Sequence, residues 1–211
     1  MQSKNLTLIR ISMFAAIATI VSFFSVPVTF APEFYKLDFS NAFVLISGFS
    51  LGSAAGFSIL FIKIFLRVMI KGSFTMGIGE LASFITGIAI VWPSAKIYKR
   101  YRTFKGACFS LCVGAFSEVL VSVLMNYFVL LPLYGGLLAT SEEAIVKLVQ
   151  KTNPLITDKL SFVLLAALPF NLLEAILICT LTLMLYKKCT HIISEKSKKC
   201  DEFFHNRFLT K

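Results

Sequence analysis

The chain has 211 residues, of which 57% are hydrophobic and only 15% are charged, and Phe alone occurs 22 times. Soluble domains average about 45–50% apolar and about 25% charged residues, so this composition excludes an ordinary soluble fold and equally excludes a disordered chain. The formal net charge is +10, and the basic residues are clustered along the chain. We therefore expect an integral membrane protein.

Six apolar segments follow one another, and each is a candidate membrane helix because roughly 20 apolar residues cross a bilayer. Pro27, Pro93 and Pro132 close the first, fourth and fifth of them, and Gly52 and Ser53 alone separate the second from the third. The predicted segments are 8–26, 40–51, 54–70, 76–92, 106–131 and 161–186. The predicted fold class is an all-α integral membrane bundle of six transmembrane helices.

Lys and Arg residues outside the predicted spans indicate the orientation. Residues 96–105 contain five basic residues and no acid, and two lysines follow Tyr186, whereas the loops on the other side are nearly balanced. The positive-inside rule then predicts that both termini are cytoplasmic. Residues 1–188 form the six-helix membrane domain in this prediction, and 189–211 form a basic cytoplasmic tail. We expect contact with membrane lipids and not with nucleic acid, since no nucleic-acid motif accompanies the charge.

No catalytic or metal-binding arrangement is recognisable in the sequence. Cys108 and Cys112 share a helix face, but no second Cys/His pair completes a metal site. A phosphate-binding Gly-x-x-x-x-Gly-Lys loop is missing as well. A membrane enzyme that modifies lipids would need an Asp-rich motif or a His cluster, so this alternative is weak. We expect neither enzymatic activity nor a cofactor.

Charged and amide side chains are few within the predicted spans, and at membrane depth such groups usually face an interior or a cavity. Lys63, Arg67 and Lys71 share one face of the third segment because they are four residues apart. Arg67 and Glu118 could pair in a purely structural role. Four further residues should converge beneath one outward-facing mouth: Glu80, Asn126, Asn171 and Glu174. Together they predict a small-molecule pocket.

The loop between the first two segments is unusually aromatic, with the sequence PVTFAPEFYKLDF at 27–39. Two interpretations of it stay open. Its aromatic residues could be interface anchors. They could instead form a lid in which Phe34, Tyr35, Leu37 and Phe39 stack over a flat aromatic ligand.

Small residues four apart occur in the first segment, and such spacing lets membrane helices approach closely. They form two pairs: Ser12 with Ala16, and Ala15 with Thr19. Either they pack inside the bundle or they form a docking face for another membrane protein.

Four separated strings occur in order on the predicted segments and resemble a known family. They are KLDFS at 36–40, GELA at 79–82, NYF at 126–128 followed by LPLY at 131–134, and LPFN at 168–171. The chain resembles the substrate-binding S components of energy-coupling factor (ECF) vitamin importers, most closely the riboflavin-specific members. The resemblance extends from the first helix to Lys188.

The resemblance implies a prokaryotic membrane subunit that captures riboflavin at the outer face. Delivery to the cytoplasm would use a shared transmembrane coupling protein and two ABC ATPase subunits. The small residues of the first segment would then be the coupling interface. Riboflavin would be the transported ligand rather than a cofactor. The predicted substrate-binding residues are Lys36, Leu37, Asp38, Phe39, Glu80, Asn126, Tyr127, Asn171 and Glu174.

The chain departs from the family pattern at two places. Riboflavin members usually carry Lys where this chain has Glu174, so a hydrogen-bond donor is lost. Binding of an anionic flavin phosphate therefore becomes less favourable, although Lys36 could compensate. Asn41 and Ala42 stand where the family often has an acid and a proline. Riboflavin is the predicted ligand, and a related flavin or another flat vitamin is the alternative.

Overall fold

The structure is a computed structural model. It describes residues 2–28, 35–73, 76–133, 146–147, 149–150 and 153–208, with side chains described between Asn5 and Lys188. Most of the described chain is helical, and one two-stranded antiparallel ladder, β1 (Val26–Pro27) with β2 (Lys36–Leu37), lies in the loop after the first helix.

Six helices form the bundle in the part of the chain that the structure describes. The first four are α1 (Gln2–Ser22), α2 (Asn41–Leu51), α3 (Ser53–Lys71) and α4 (Ile78–Arg100). Helix α5 consists of Phe104–Met125, one wide π-helical turn at Asn126–Leu130 and a short continuation to Leu133. Helix α6 consists of Lys159–Phe162, a second wide turn at Val163–Ala167, and Leu168–Phe208.

Five of these helices are long and apolar enough to cross a membrane, whereas α2 has only 11 residues. Large apolar side chains are exposed on their outward faces, for example Phe61, Phe116 and Phe128. Such a surface suits lipid and not water. The prediction of a helical membrane bundle is thereby confirmed.

Two predicted helix ends are wrong. Helix α1 ends at Ser22 and not at Val26, because Val26 already belongs to the ladder with β2. Helix α4 passes through Pro93 and continues to Arg100, so much of the basic stretch lies on a helix and not in a loop. Proline removes one backbone hydrogen bond, which membrane bundles tolerate when neighbouring helices and hydroxyl side chains satisfy the freed groups.

Two buried apolar cores occupy opposite parts of the bundle. The cavity-end core joins the loop to the wide turns and α6, and its largest buried side chains are Tyr35, Phe162 and Phe170. The basic-end core contains residues from all six helices, α1 to α6. It lies nearer the end of the bundle that carries Lys96 and Arg100. The polar side chains described next lie at the cavity end.

Candidate ligand-binding cavity

Two wide helical turns position amide side chains at the cavity end. Asn126 begins the wide turn of α5, and Asn171 lies shortly after the wide turn of α6. The two turns contact each other. Wide turns of this kind occur often at functional sites.

Proline accompanies both wide turns, at Pro132 and Pro169, although Pro93 lies within α4 without one. A proline ring clashes with the carbonyl of the residue four positions earlier in a regular helix. For Pro132 that residue is Phe128, and for Pro169 it is Leu165, and both lie inside the wide turns. Pro132 read only as a helix end does not predict these turns.

A cavity of about 170 Å³ opens between the loop and helices α2 to α6. One buried water needs roughly 10–15 Å³ on the same measure, so the cavity is of small-molecule size. Five predicted site residues line it: Lys36, Asp38, Asn126, Asn171 and Glu174. Seven polar residues that were not assigned to the site also line it: Asn41, Lys63, Arg67, Ser83, Thr86, Glu118 and Ser122. The spacing of Glu118, Ser122 and Asn126 at i, i+4 and i+8 could have identified Ser122.

Lys63 is the centre of a buried polar network. Its ammonium donates to Asn41 Oδ1 at 2.7 Å and to Ser40 Oγ at 2.8 Å, and it lies 3.3 Å from Asp38 Oδ2. The Lys63 side chain is almost completely buried, so these partners replace its lost hydration. Arg67 lies 3.5 Å from the same Asp38 oxygen. The ion pair that the structure gives Arg67 is therefore with Asp38 and not with Glu118.

Asp38 also connects the loop to α6. Its backbone N–H donates to Glu174 Oε1 at 3.2 Å, and its Oδ1 accepts from the backbone N–H of Ser40 at 2.9 Å. Burial raises the pKa of the Asp38 carboxyl, but Lys63, the Ser40 hydrogen bonds and Arg67 outweigh burial and hold this pKa below its usual value. Asp38 is therefore an ionised counter-charge for Lys63 at neutral pH.

Tyr35 covers the amide side chains. Its hydroxyl donates to Asn126 Oδ1, and its ring centroid lies 4.7 Å from that of Phe170. The Asn126 amide also donates to Ser122 O at 2.8 Å, and the Asn171 amide donates to Ala167 O at 2.6 Å. These bonds hold both amides in position beside an aromatic wall. Tyr35 was one of the four predicted lid residues, whereas Phe34 lies outside the described residues.

Four predicted binding residues do not line the cavity in this structure. Leu37 is buried in the cavity-end core, and Phe39 packs against that core. Tyr127 packs there too, with the Lys159 ammonium 5.0 Å from its ring centroid. Glu80 Oε2 accepts a hydrogen bond from Ser73 at 2.7 Å, and the residues on the cavity wall next to it are Gly79 and Ser83.

The small residues of α1 divide between two environments. Ala15 and Thr19 are buried in the bundle, where the Thr19 hydroxyl donates to Ala15 O at 2.7 Å. Ser12 and Ala16 are exposed. A partner protein can therefore contact Ser12 and Ala16 directly, whereas Ala15 and Thr19 serve internal packing.

The fold and site define a helical membrane protein with a polar, aromatic-covered interior cavity. The chain belongs to the substrate-specific components of ECF transporters, because the family model "ECF transporter, substrate-specific component" matches residues 6–186. This confirms the family that the four sequence strings resemble. The chain is thus a transport component and not an enzyme, and it is a multi-pass protein of the bacterial cell membrane.

Individual relatives agree with this assignment. The chain is 30% identical to riboflavin transporter RibU of Staphylococcus aureus over 193 residues, which cover 90% of this chain and 93% of the relative. It is 29% identical to riboflavin transporter FmnP of Bacillus subtilis, over 86% of this chain and 90% of that one. A solved structure described as the S component of a bacterial ECF transporter is similar, with a TM-score of 0.70, 28% identity, and coverage of 90% of this chain and 98% of the other.

Proposed function

We propose that this chain binds riboflavin in the cavity and presents it to an ECF energy-coupling module for import. The observation that carries the proposal is the combination of amides and aromatic rings at one end of the bundle. Asn126 and Asn171 offer amide groups that can both donate and accept, which matches the imide edge of a flavin ring. Tyr35 and Phe170 provide the aromatic surface on which a flat ring stacks.

The charge of the cavity wall favours a neutral ligand. Three cations and three carboxyl groups line the wall: Lys36, Lys63, Arg67, Asp38, Glu118 and Glu174. Because opposite charges are formally balanced, a neutral vitamin adds no uncompensated charge to this half-buried site. A phosphorylated flavin would add two negative charges to this formally balanced wall. We therefore assign riboflavin, and not its phosphate, as the preferred ligand.

The proposed topology has six spans, both termini in the cytoplasm and the cavity facing outward. Its support is the positive-inside rule, because Lys96, Lys99, Arg100, Arg102 and Lys105 all lie at the end of the bundle opposite the cavity. Residues 1–188 then form the substrate-binding membrane domain. Residues 189–211 form a cytoplasmic tail, which begins as a continuation of α6 to Phe208.

The proposed partners are a transmembrane coupling protein and two ABC ATPase subunits. Ser12 and Ala16 supply the contact on this chain, since they are the exposed small residues of α1 and small residues allow close helix approach in lipid. Transport energy would come from these partners.

The proposal is tested with purified protein in detergent. Titration with riboflavin should quench flavin fluorescence in a saturable way, because stacking on Tyr35 and Phe170 accompanies burial. Flavin mononucleotide should bind more weakly, and thiamine should not compete. A flavin titration without saturable quenching would refute the riboflavin assignment, and tighter binding of the phosphate would refute the charge argument.

A further inference from the structure

Two buried polar atoms on the cavity wall have no hydrogen-bond partner within the part of the chain that the structure describes. They are Glu118 Oε2 and Ser122 Oγ. Glu118 is 3% exposed and Ser122 is 1% exposed, and both residues line the cavity. An unpaired buried polar group is costly in a folded protein, so these two atoms require a partner that the described residues do not supply.

Glu118, Ser122 and Asn126 form a polar ladder along the cavity face of α5. Consecutive members are four residues apart, which corresponds to about 6 Å along a helix. Asn126 lies at the wide turn beneath Tyr35, so Ser122 and Glu118 lie successively deeper in the bundle. The upper member has internal partners, whereas the two lower members provide an unused acceptor surface.

The charged groups around Glu118 do not provide the missing hydrogen bond. The carboxyl of Glu174 on α6 and the ammonium of Lys63 on α3 line the same cavity. The hydrogen bonds of that ammonium go to Asp38, Ser40 and Asn41. A ligand donor in the cavity would satisfy Glu118 without disturbing this network.

We propose that Glu118 and Ser122 form the floor of the binding site and accept hydrogen-bond donors of a neutral ligand. The inference rests on the proposed riboflavin function and adds two specificity-determining residues to it. Riboflavin carries two kinds of donor, the hydroxyls of its ribityl chain and the imide N–H of its ring. Lumiflavin keeps the imide and lacks the hydroxyls, so a comparison of the two ligands shows which donor reaches the floor.

The test measures dissociation constants for riboflavin and lumiflavin in Glu118→Gln, Glu118→Met and Ser122→Ala. Glu118→Met removes both acceptor oxygens at similar length and should weaken riboflavin binding about tenfold or more. Glu118→Gln keeps one acceptor and should have an intermediate effect. Ser110→Ala is the matched control, because Ser110 is a buried serine of α5 bonded to Ala107 O at 2.8 Å and does not line the cavity.

Thermal unfolding without ligand separates binding from a structural role. Since Glu118 Oε2 lacks a hydrogen bond among the described residues, Glu118→Met should leave the melting temperature unchanged or raise it while affinity falls. Weakening of riboflavin alone assigns the floor to the hydroxyls, and equal weakening of lumiflavin assigns it to the imide. Unchanged affinity in both Glu118 variants, or a melting temperature that falls with affinity, would overturn the inference. Lack of riboflavin binding by the unaltered protein would instead refute the proposed function.

Discussion

The two ends of the bundle differ in how closely their helices pack and in how their buried polar groups are paired. At the basic end, α4 and α5 approach closely, and buried hydroxyls are paired, as in the 3.1 Å bond from Ser94 to Ser110 O. At the cavity end, wide turns interrupt the helices, and Glu118 Oε2 and Ser122 Oγ have no hydrogen-bond partner among the described residues. Close packing therefore characterises one end, whereas the other end has the polar groups that we propose bind a ligand.

Gly114 illustrates how closely the basic end is packed. A Cβ atom at this position would lie 2.8 Å from Ile90 O and closer still to Ser94 Oγ, both on α4. Only a glycine lets α5 approach α4 in this way, because backbone atoms of a helix cannot move aside as a side chain can.

The largest expected effect is on the ion network that supports the cavity end. Asp38→Ala leaves the buried Lys63 cation without its carboxylate, which we expect to cost about 3 kcal/mol in the free energy of unfolding. Thermal unfolding in detergent without ligand measures the effect. Asp158→Ala is the control, since Asp158 is an exposed carboxylate that caps α6, and its loss should lower stability clearly less. Equal losses would contradict the role given to Asp38.

The packing of the basic end is tested by Gly114→Ala. Overpacking against the α4 backbone should cost about 1–3 kcal/mol in stability, and the folded protein should retain its affinity for riboflavin. Gly87→Ala is the matched control, because its Cβ would meet only the end of the Leu60 side chain at 2.9 Å, which can rotate away. If both variants unfold at the same temperature, the close approach of α5 to α4 at Gly114 does not determine the stability of this end.

A change at the cavity end should alter binding more than folding. Asn126→Ala removes an amide from the cavity wall and should weaken riboflavin binding by about 1–3 kcal/mol, as measured by fluorescence titration. Asn153→Ala removes the same group from a loop position, where Asn153 accepts from Leu155 N–H at 3.1 Å outside the cavity. A dissociation constant unchanged in Asn126→Ala would remove this residue from the site.

The smallest effect on the isolated chain is expected at the surface of α1. Ala16→Leu adds bulk to an exposed position, so stability and riboflavin affinity should remain unchanged, while uptake with the coupling module should fall because docking is blocked. Ala54→Leu makes the same change at an exposed alanine of α3. Normal uptake by Ala16→Leu would show that Ala16 is not part of the coupling interface.

Much of the fold and part of the cavity are predictable from local properties of the sequence. Long apolar runs predict helices because buried backbone groups in lipid must bond within the segment. Polar residues inside such runs predict an interior site because exposure to lipid is costly. Of the four residues expected to converge on this basis, Asn126, Asn171 and Glu174 line one cavity, whereas Glu80 does not.

Other features depend on how the helices are rotated and paired. The helical repeat places Ser12 with Ala16 and Ala15 with Thr19, but only the assembled bundle decides which pair is buried. Likewise, charge alone cannot decide between Asp38 and Glu118 as the partner of Arg67. Helix formation is a short-range property of the chain, whereas the partner of each inward side chain is set by neighbours distant in sequence.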